Sequence, residues 1–212
     1  MKICTYGNRD ADTVILQPVG GREIQMIPAE ISLVRKLAKK DFCLLACVVD
    51  DWNRDLSPWR AEAVFGNEPF EGKADEMLEF IRREVVENNK GKQLLIGGYS
   101  LAGLFALWTA YRTDEFCGVA AVSPSVWFPG FLQYANDNDI RTDRVYLSLG
   151  DKEEKTKNPV MATVGDAIRS LNKLYDGRKL KTVLEWNQGN HFKEPELRMA
   201  KAFAWVLADC EQ

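Results

Sequence analysis

The chain holds a single histidine among its 212 residues. Any site built on several imidazoles is therefore excluded. The five cysteines, Cys4, Cys43, Cys47, Cys117 and Cys210, are scattered and form no C-x-x-C pair. That spacing argues against a disulfide framework or a thiolate metal centre, and for reduced thiols in a cytoplasmic protein. There is no basic stripe, and the net charge is −3, so no nucleic-acid partner is expected. No apolar run approaches the length of a membrane span, and no membrane partner is expected. The opening Met-Lys-Ile-Cys-Thr-Tyr lacks the apolar stretch of a signal peptide. Internal repeats, linkers and low-complexity segments are also missing.

What is present suits one packed domain over residues 1–212. Hydrophobic residues make up 46% and charged residues 28% of the chain. Short apolar runs alternate with longer amphipathic ones. Strands are expected at residues 2–6, 13–17, 42–49, 93–96, 118–122, 145–149 and 182–186. Pro18 and the Gly20-Gly21 pair are expected to close the second of these. The run FCLLACVV is apolar throughout, as in a strand covered on both faces. Helices are expected at 29–39, 74–88, 101–111, 160–175 and 196–208. The first carries Ile31, Val34, Leu37 and Ala38 on one face. The third is apolar nearly all round and should be buried. The polar stretch at 50–59 reads as a loop. Such alternation predicts a mostly parallel sheet inside a three-layer α/β/α sandwich. Sites in such folds gather at the loops after the carboxyl ends of the strands.

One of those loops is unusual. In Gly98-Tyr99-Ser100-Leu101-Ala102-Gly103 a strand ends and a helix begins within a few residues. A serine held at so sharp a bend adopts a strained backbone, and the residues two before and two after it must be small. Gly98 and Ala102 meet that demand, although the usual G-x-S-x-G ends in glycine. The helix that follows aims its amino end at the serine, which favours developing negative charge there. A phosphate loop is excluded, because no Lys-Ser/Thr follows the glycines and no G-x-G-x-x-G register is present.

A serine hydroxyl needs a base to act as a nucleophile at neutral pH. His191 lies in QGNHF, beyond the last strand and before the closing helix, where a base would come last in chain order. An acid should orient it from a loop between the two. The loop after VYLSLG offers Asp151, Glu153 and Glu154; Glu153, three past Gly150, is favoured, and the other two stay open. An oxyanion needs fixed donors. The Leu101 amide is one candidate, and Val19 or Gly20, after the strand at 13–17, offers the second. Trp52, Trp127 and Phe128 are expected to wall a substrate pocket, with Trp59 and Trp186 nearby. Asp50 and Asp51 suggest metal or glycosidase chemistry only weakly, since no histidine accompanies them.

With these residues in hand, the chain resembles the α/β-hydrolase superfamily. Within it, the sequence is similar to the esterase group that includes esterase D and the enterochelin-type siderophore esterases. The resemblance rests on GGYSLAG, SPSVWFPG, LSLGDKEE and GNH, with DDWNRDLSPW as a substrate-side loop. It covers nearly all of the chain from Asp12 onward. It implies an α/β-hydrolase core and no cofactor; the chain departs from the family in having no large inserted cap, so a compact core is expected, and no metal is expected. The resemblance also implies a Ser100–Glu153–His191 triad acting on a small-molecule ester. The expected activity is carboxylic ester hydrolysis through an acyl-serine. Acyl transfer, peptidase or amidase action on the same triad, and a non-catalytic binding role, stay open. The sequence leaves the oligomeric state open.

Overall fold

The computed structural model describes residues 1–208 of the chain. Cys210 lies outside these. The chain opens with β1 (Lys2–Gly7), β2 (Thr13–Val19), α1 (Ile27–Leu37) and β3 (Cys43–Val48). A short helix α2 (Trp52–Leu56), a two-stranded hairpin of β4 (Arg60–Ala61) and β5 (Phe70–Glu71), and α3 (Ala74–Ile81) follow. Then come β6 (Gln93–Tyr99), α4 (Leu101–Arg112), β7 (Gly118–Val122), α5 (Phe131–Asp137) and β8 (Arg144–Gly150). The chain continues through α6 (Val164–Gly177) and β9 (Lys181–Asn187) to α7 (Pro195–Ala208).

Seven strands form one sheet in the order β1-β3-β2-β6-β7-β8-β9. β1 runs antiparallel to β3, and the other pairings are parallel. One face packs α1 and α7 through Ile31, Val34, Phe203 and Val206 against Ile15, Leu44 and Leu95. The other packs α3, α4 and α6 against the alternate residues of the same strands, such as Leu16 and Ile96. Adjacent strand residues thus serve opposite layers, and the α/β/α sandwich follows from that two-residue alternation. Among the described residues no helix is long and apolar enough to cross a membrane.

Four differences from the expected elements bear on the core and the site. Pro18 lies inside β2 rather than ending it. The Val19 carbonyl accepts from Val49 N across to β3, so alternation turns the Pro18 nitrogen towards β6, where pairing ends at Leu16. Leu37 is not core: α1 starts two residues earlier than expected, and Leu37 at its end is 50% exposed. The stretch at 50–59 carries α2, whose first turn is capped by Asp51 accepting from Arg54 N at 3.0 Å. Helix α5 was not expected from the pattern.

Candidate active site

Ser100 sits between the end of β6 and the start of α4 at φ 59°, ψ −123°. That is a positive-φ conformation that costs a non-glycine residue of order 1–3 kcal/mol. The neighbourhood over-determines it. Ser100 N donates to Val122 O at 3.0 Å, and its own carbonyl accepts from Leu104 N at 3.1 Å and Ser125 N at 3.0 Å. The small residues are needed as expected: a Cβ on Gly98 would come within 2.5 Å of the Ala102 backbone. Ser100 Oγ lies 3.4 Å from Ser125 Oγ. The amide of Leu101, in the first turn of α4, has no carbonyl within the helix to bond.

After β8 the chain makes a 3-10 turn at Glu153–Lys155, and that turn sorts the three acids. Glu153 points inward and receives His191 Nδ1 on Oε2 at 2.7 Å. Its other oxygen accepts from Ser123 Oγ and Gly150 N, both at 2.7 Å, and from Arg198 at 3.1 Å. Burial pushes the Glu153 carboxyl up, but the His191 contact and the Ser123 and Gly150 donors outweigh it, so it lies below the usual carboxylate range. Asp151 instead accepts from Gly189 N at 2.8 Å, fastening the loop after β8 to the loop that carries His191. Glu154 pairs with Arg169 at 2.8 Å. Neither contacts His191.

Sequence reasoning missed Arg198. Its side chain is buried, and besides Glu153 it donates to Tyr99 Oη at 3.2 Å, Gln188 O at 3.2 Å and Asn190 O at 3.1 Å. Tyr99 in turn donates to His191 O at 2.7 Å. One guanidinium therefore neutralises the buried acid and pins the loop that carries the imidazole. A signal existed: Arg198 lies four and eight residues before the buried Ala202 and Val206, on the core face of α7. Ser123, held at φ 44° after β7, also supports the Glu153 carboxylate, a role its place in SPSVWFPG did not show.

Two cavities meet at Ser100, and both share Trp52, His191 and Phe192 with it. One, about 600 Å³, runs between Phe65, Trp127, Lys152 and Lys155. The other, about 440 Å³, runs between Gln17, Glu23, Glu30 and Glu196. Trp52 and Trp127 thus lie where a pocket wall was expected. Phe128 does not: it is buried off these cavities, edge-on to Phe70 at 5.1 Å and Trp59 at 5.7 Å. Trp59 is tied to Pro129 O, and Trp186 stacks under Arg169. Phe65 and Phe192, exposed at the rim, were not singled out from sequence. Val19 does not offer the expected donor, because its N–H, like its carbonyl, faces β3 in the ladder; Gly20, next along, turns the other way and has the Glu23 carboxylate against it and the Trp52 ring beyond.

A parallel sheet with a strained serine at the carboxyl end of a central strand defines an α/β-hydrolase-type fold. The chain matches the family model described as "Putative esterase" over residues 71–194, more than half its length, and it belongs to that family of esterases. Among solved structures it is similar to an IroE-like serine hydrolase from Shewanella oneidensis. The two share 15% identity over 98% of this chain and 75% of that one, with a TM-score of 0.79. It is also similar to the siderophore hydrolase EstA from Aspergillus nidulans, at 17% identity over 97% of this chain and 86% of that one, TM-score 0.73. The enterobactin esterase FES from Shigella flexneri matches at 15% identity and TM-score 0.66; 96% of this chain covers 55% of that one. At these identities the likeness is one of fold. A search of curated proteins gives no match.

Proposed function

We propose that this esterase hydrolyses small carboxylic esters through an acyl-serine on Ser100, with His191 as base and Glu153 as the orienting acid. The observation that carries this reading is the 2.7 Å contact of His191 Nδ1 with a buried, ionised Glu153 on the cavity wall that also holds the strained Ser100. A carboxylate there keeps the proton on Nδ1 and leaves Nε2 free to accept one. Ser100 Oγ attacks the ester carbonyl carbon while its proton passes to Nε2. The carbonyl oxygen becomes an oxyanion, held by the Leu101 amide and by the Gly20 amide, since the Val19 N–H faces β3. Collapse breaks the bond to the alcohol oxygen, which takes the proton from the imidazolium. Water then attacks the acyl-serine with His191 again as base, and the acid leaves. Cys4, Cys43 and Cys47 are free thiols, which supports a reducing compartment such as the cytoplasm.

Intact-mass labelling with a fluorophosphonate tests the reading. One adduct is expected on the wild type and none on Ser100→Ala or His191→Ala. A folded wild type that takes no adduct would sink it.

A further inference from the structure

The second cavity has a chemistry that the hydrolytic mechanism does not use. Carboxylates stand along it from mouth to floor: Glu23 exposed, Glu196 half-buried, Glu30 buried. None of the three is in an ion pair among the described residues, and no lysine or arginine lines the cavity. At the floor, Gln17 Nε2 donates to Glu30 Oε2 at 3.2 Å. That leaves Gln17 Oε1 and Glu30 Oε1, both buried, without a partner, although each side chain is over nine-tenths buried. Orphaned buried oxygens cost of order 1–3 kcal/mol each, so a ligand that donates hydrogen bonds fits here. The acids are not a metal cage: among the described residues no three His, Cys, Asp or Glu side chains group to hold an ion. An N–H-bearing organic cation satisfies the charge and the oxygens together. Trp52 and Phe192 stand at the junction, where aromatic faces also suit a cation.

We propose that this cavity is a subsite for a cationic amine carried by the ester substrate, with Glu30 and Gln17 receiving its N–H groups and Glu196 and Glu23 supplying the field. The assignment rests on the serine-esterase reading for the word substrate, though the amine site stands on its own residues. The titratable groups that line the cavity with Glu30 are Glu23 before α1, Tyr99 of β6, His191 after β9 and Glu196 of α7. Burial first, and then Glu196, push the Glu30 carboxyl up to about 8 against the Gln17 hydrogen bond. An ammonium docked beside it favours the carboxylate, so binding near neutral pH releases a proton.

The probe is n-butylammonium, with 1-butanol as its neutral counterpart, titrated calorimetrically into the full chain carrying Ser100→Ala. The ammonium is expected to bind about tenfold or more tightly than the alcohol. Its heat should vary with the ionisation enthalpy of the buffer. Glu30→Gln and the less buried Glu196→Gln should each weaken it several-fold, and the second covers the case in which the first fails to fold. Equal binding of amine and alcohol, or an affinity indifferent to Glu196→Gln, would overturn the proposal. Fluorophosphonate labelling of the wild type is read alongside. Labelling without amine preference removes the subsite and leaves the esterase reading intact. Amine preference without labelling supports the site and sinks the hydrolytic mechanism instead. Where both hold, a 4-aminobutyl ester should exceed the matching pentyl ester in kcat/KM by a similar factor.

Discussion

The two cavities that meet at Ser100 share four wall residues and differ in nearly everything else. The larger is rimmed by Phe65 and Trp127 and carries Lys152 and Lys155. The smaller carries three carboxylates and a glutamine. Their origins differ as well. The aromatic side is built by the hairpin segment after α2 and the loops after β7 and β8, on the face of α3, α4 and α6. The acidic side is built by β2, α1 and α7, on the opposite face. Each layer of the sandwich thus lends its own chemistry to one side of a common serine. The contrast teaches that the proposed reactive centre and its surroundings are separable: one strained turn holds Ser100, while the helical layers shape the cavities beside it.

The sharpest break in that comparison is at the shared centre. Ser100→Ala should lower ester hydrolysis by at least ~10³-fold whichever cavity a substrate uses, because no second nucleophile takes its place. Glu153→Gln should lower kcat by roughly 10²–10⁴-fold, through loss of the Nδ1 proton's partner. Asp151→Asn and Glu154→Gln should stay near the wild-type rate in the same assay. A neighbour that proves as costly as Glu153 would overturn the assignment of the acid.

Arg198→Met comes next, because it strikes the support and not the reacting groups. It strands a buried carboxylate, and a loss of about 3–5 kcal/mol of stability is expected in denaturant melts. The sign with pH follows from Glu153. Its folded carboxyl lies below the unfolded value of 4.5, so its stabilisation is present above that value and is lost as pH falls through the folded one. Removing the guanidinium raises the folded value. The acid-side loss of stability should therefore begin at a higher pH in the variant.

Glu30 runs the opposite way and sharpens the contrast between the two sides. Its folded carboxyl is raised to about 8 from 4.5, so the folded state holds a proton that the unfolded state has released. Stability should fall as pH climbs from 4.5 towards 8 and level off beyond. Glu30→Gln should remove that slope. The relative gain at pH 9 should be a few kcal/mol, since a tenfold change in proton affinity is worth ~1.4 kcal/mol. Thermal melts across pH 5–9 check it. The smallest effect is expected from Phe65→Ala at the exposed rim: a few-fold rise in KM for aryl esters with kcat unchanged for short ones.

Much of this molecule could be read from its order of residues, because the relevant forces act locally. The strand and helix sequence followed from apolar spacing, and the elbow followed from the sterics of Gly98 and Ala102 around Ser100. The place of His191 was visible because a single histidine fell in the last strand-to-helix loop. The misreadings came where a local rule met a tertiary condition. Pro18 stays in β2 because β6 has stopped pairing there. Phe128 turned into the core and Phe65 out of it, and composition does not distinguish those two fates.

What only the tertiary structure decided is the company each charge keeps. Asp151, Glu153 and Glu154 are chemically near-equivalent neighbours. One tight turn sends Glu153 to His191, 38 residues further along, and leaves the other two to Gly189 and Arg169. Arg198 reaches Glu153 across 45 residues of sequence. Gln17 and Glu30 meet from a strand and a helix packed on it. Such pairings depend on distances of a few ångströms between separate elements, and no periodicity along the chain encodes them. The sequence by itself determined where Ser100 is held; the packing of the layers decided which acid faces His191, which cation steadies that acid, and which charges line either side.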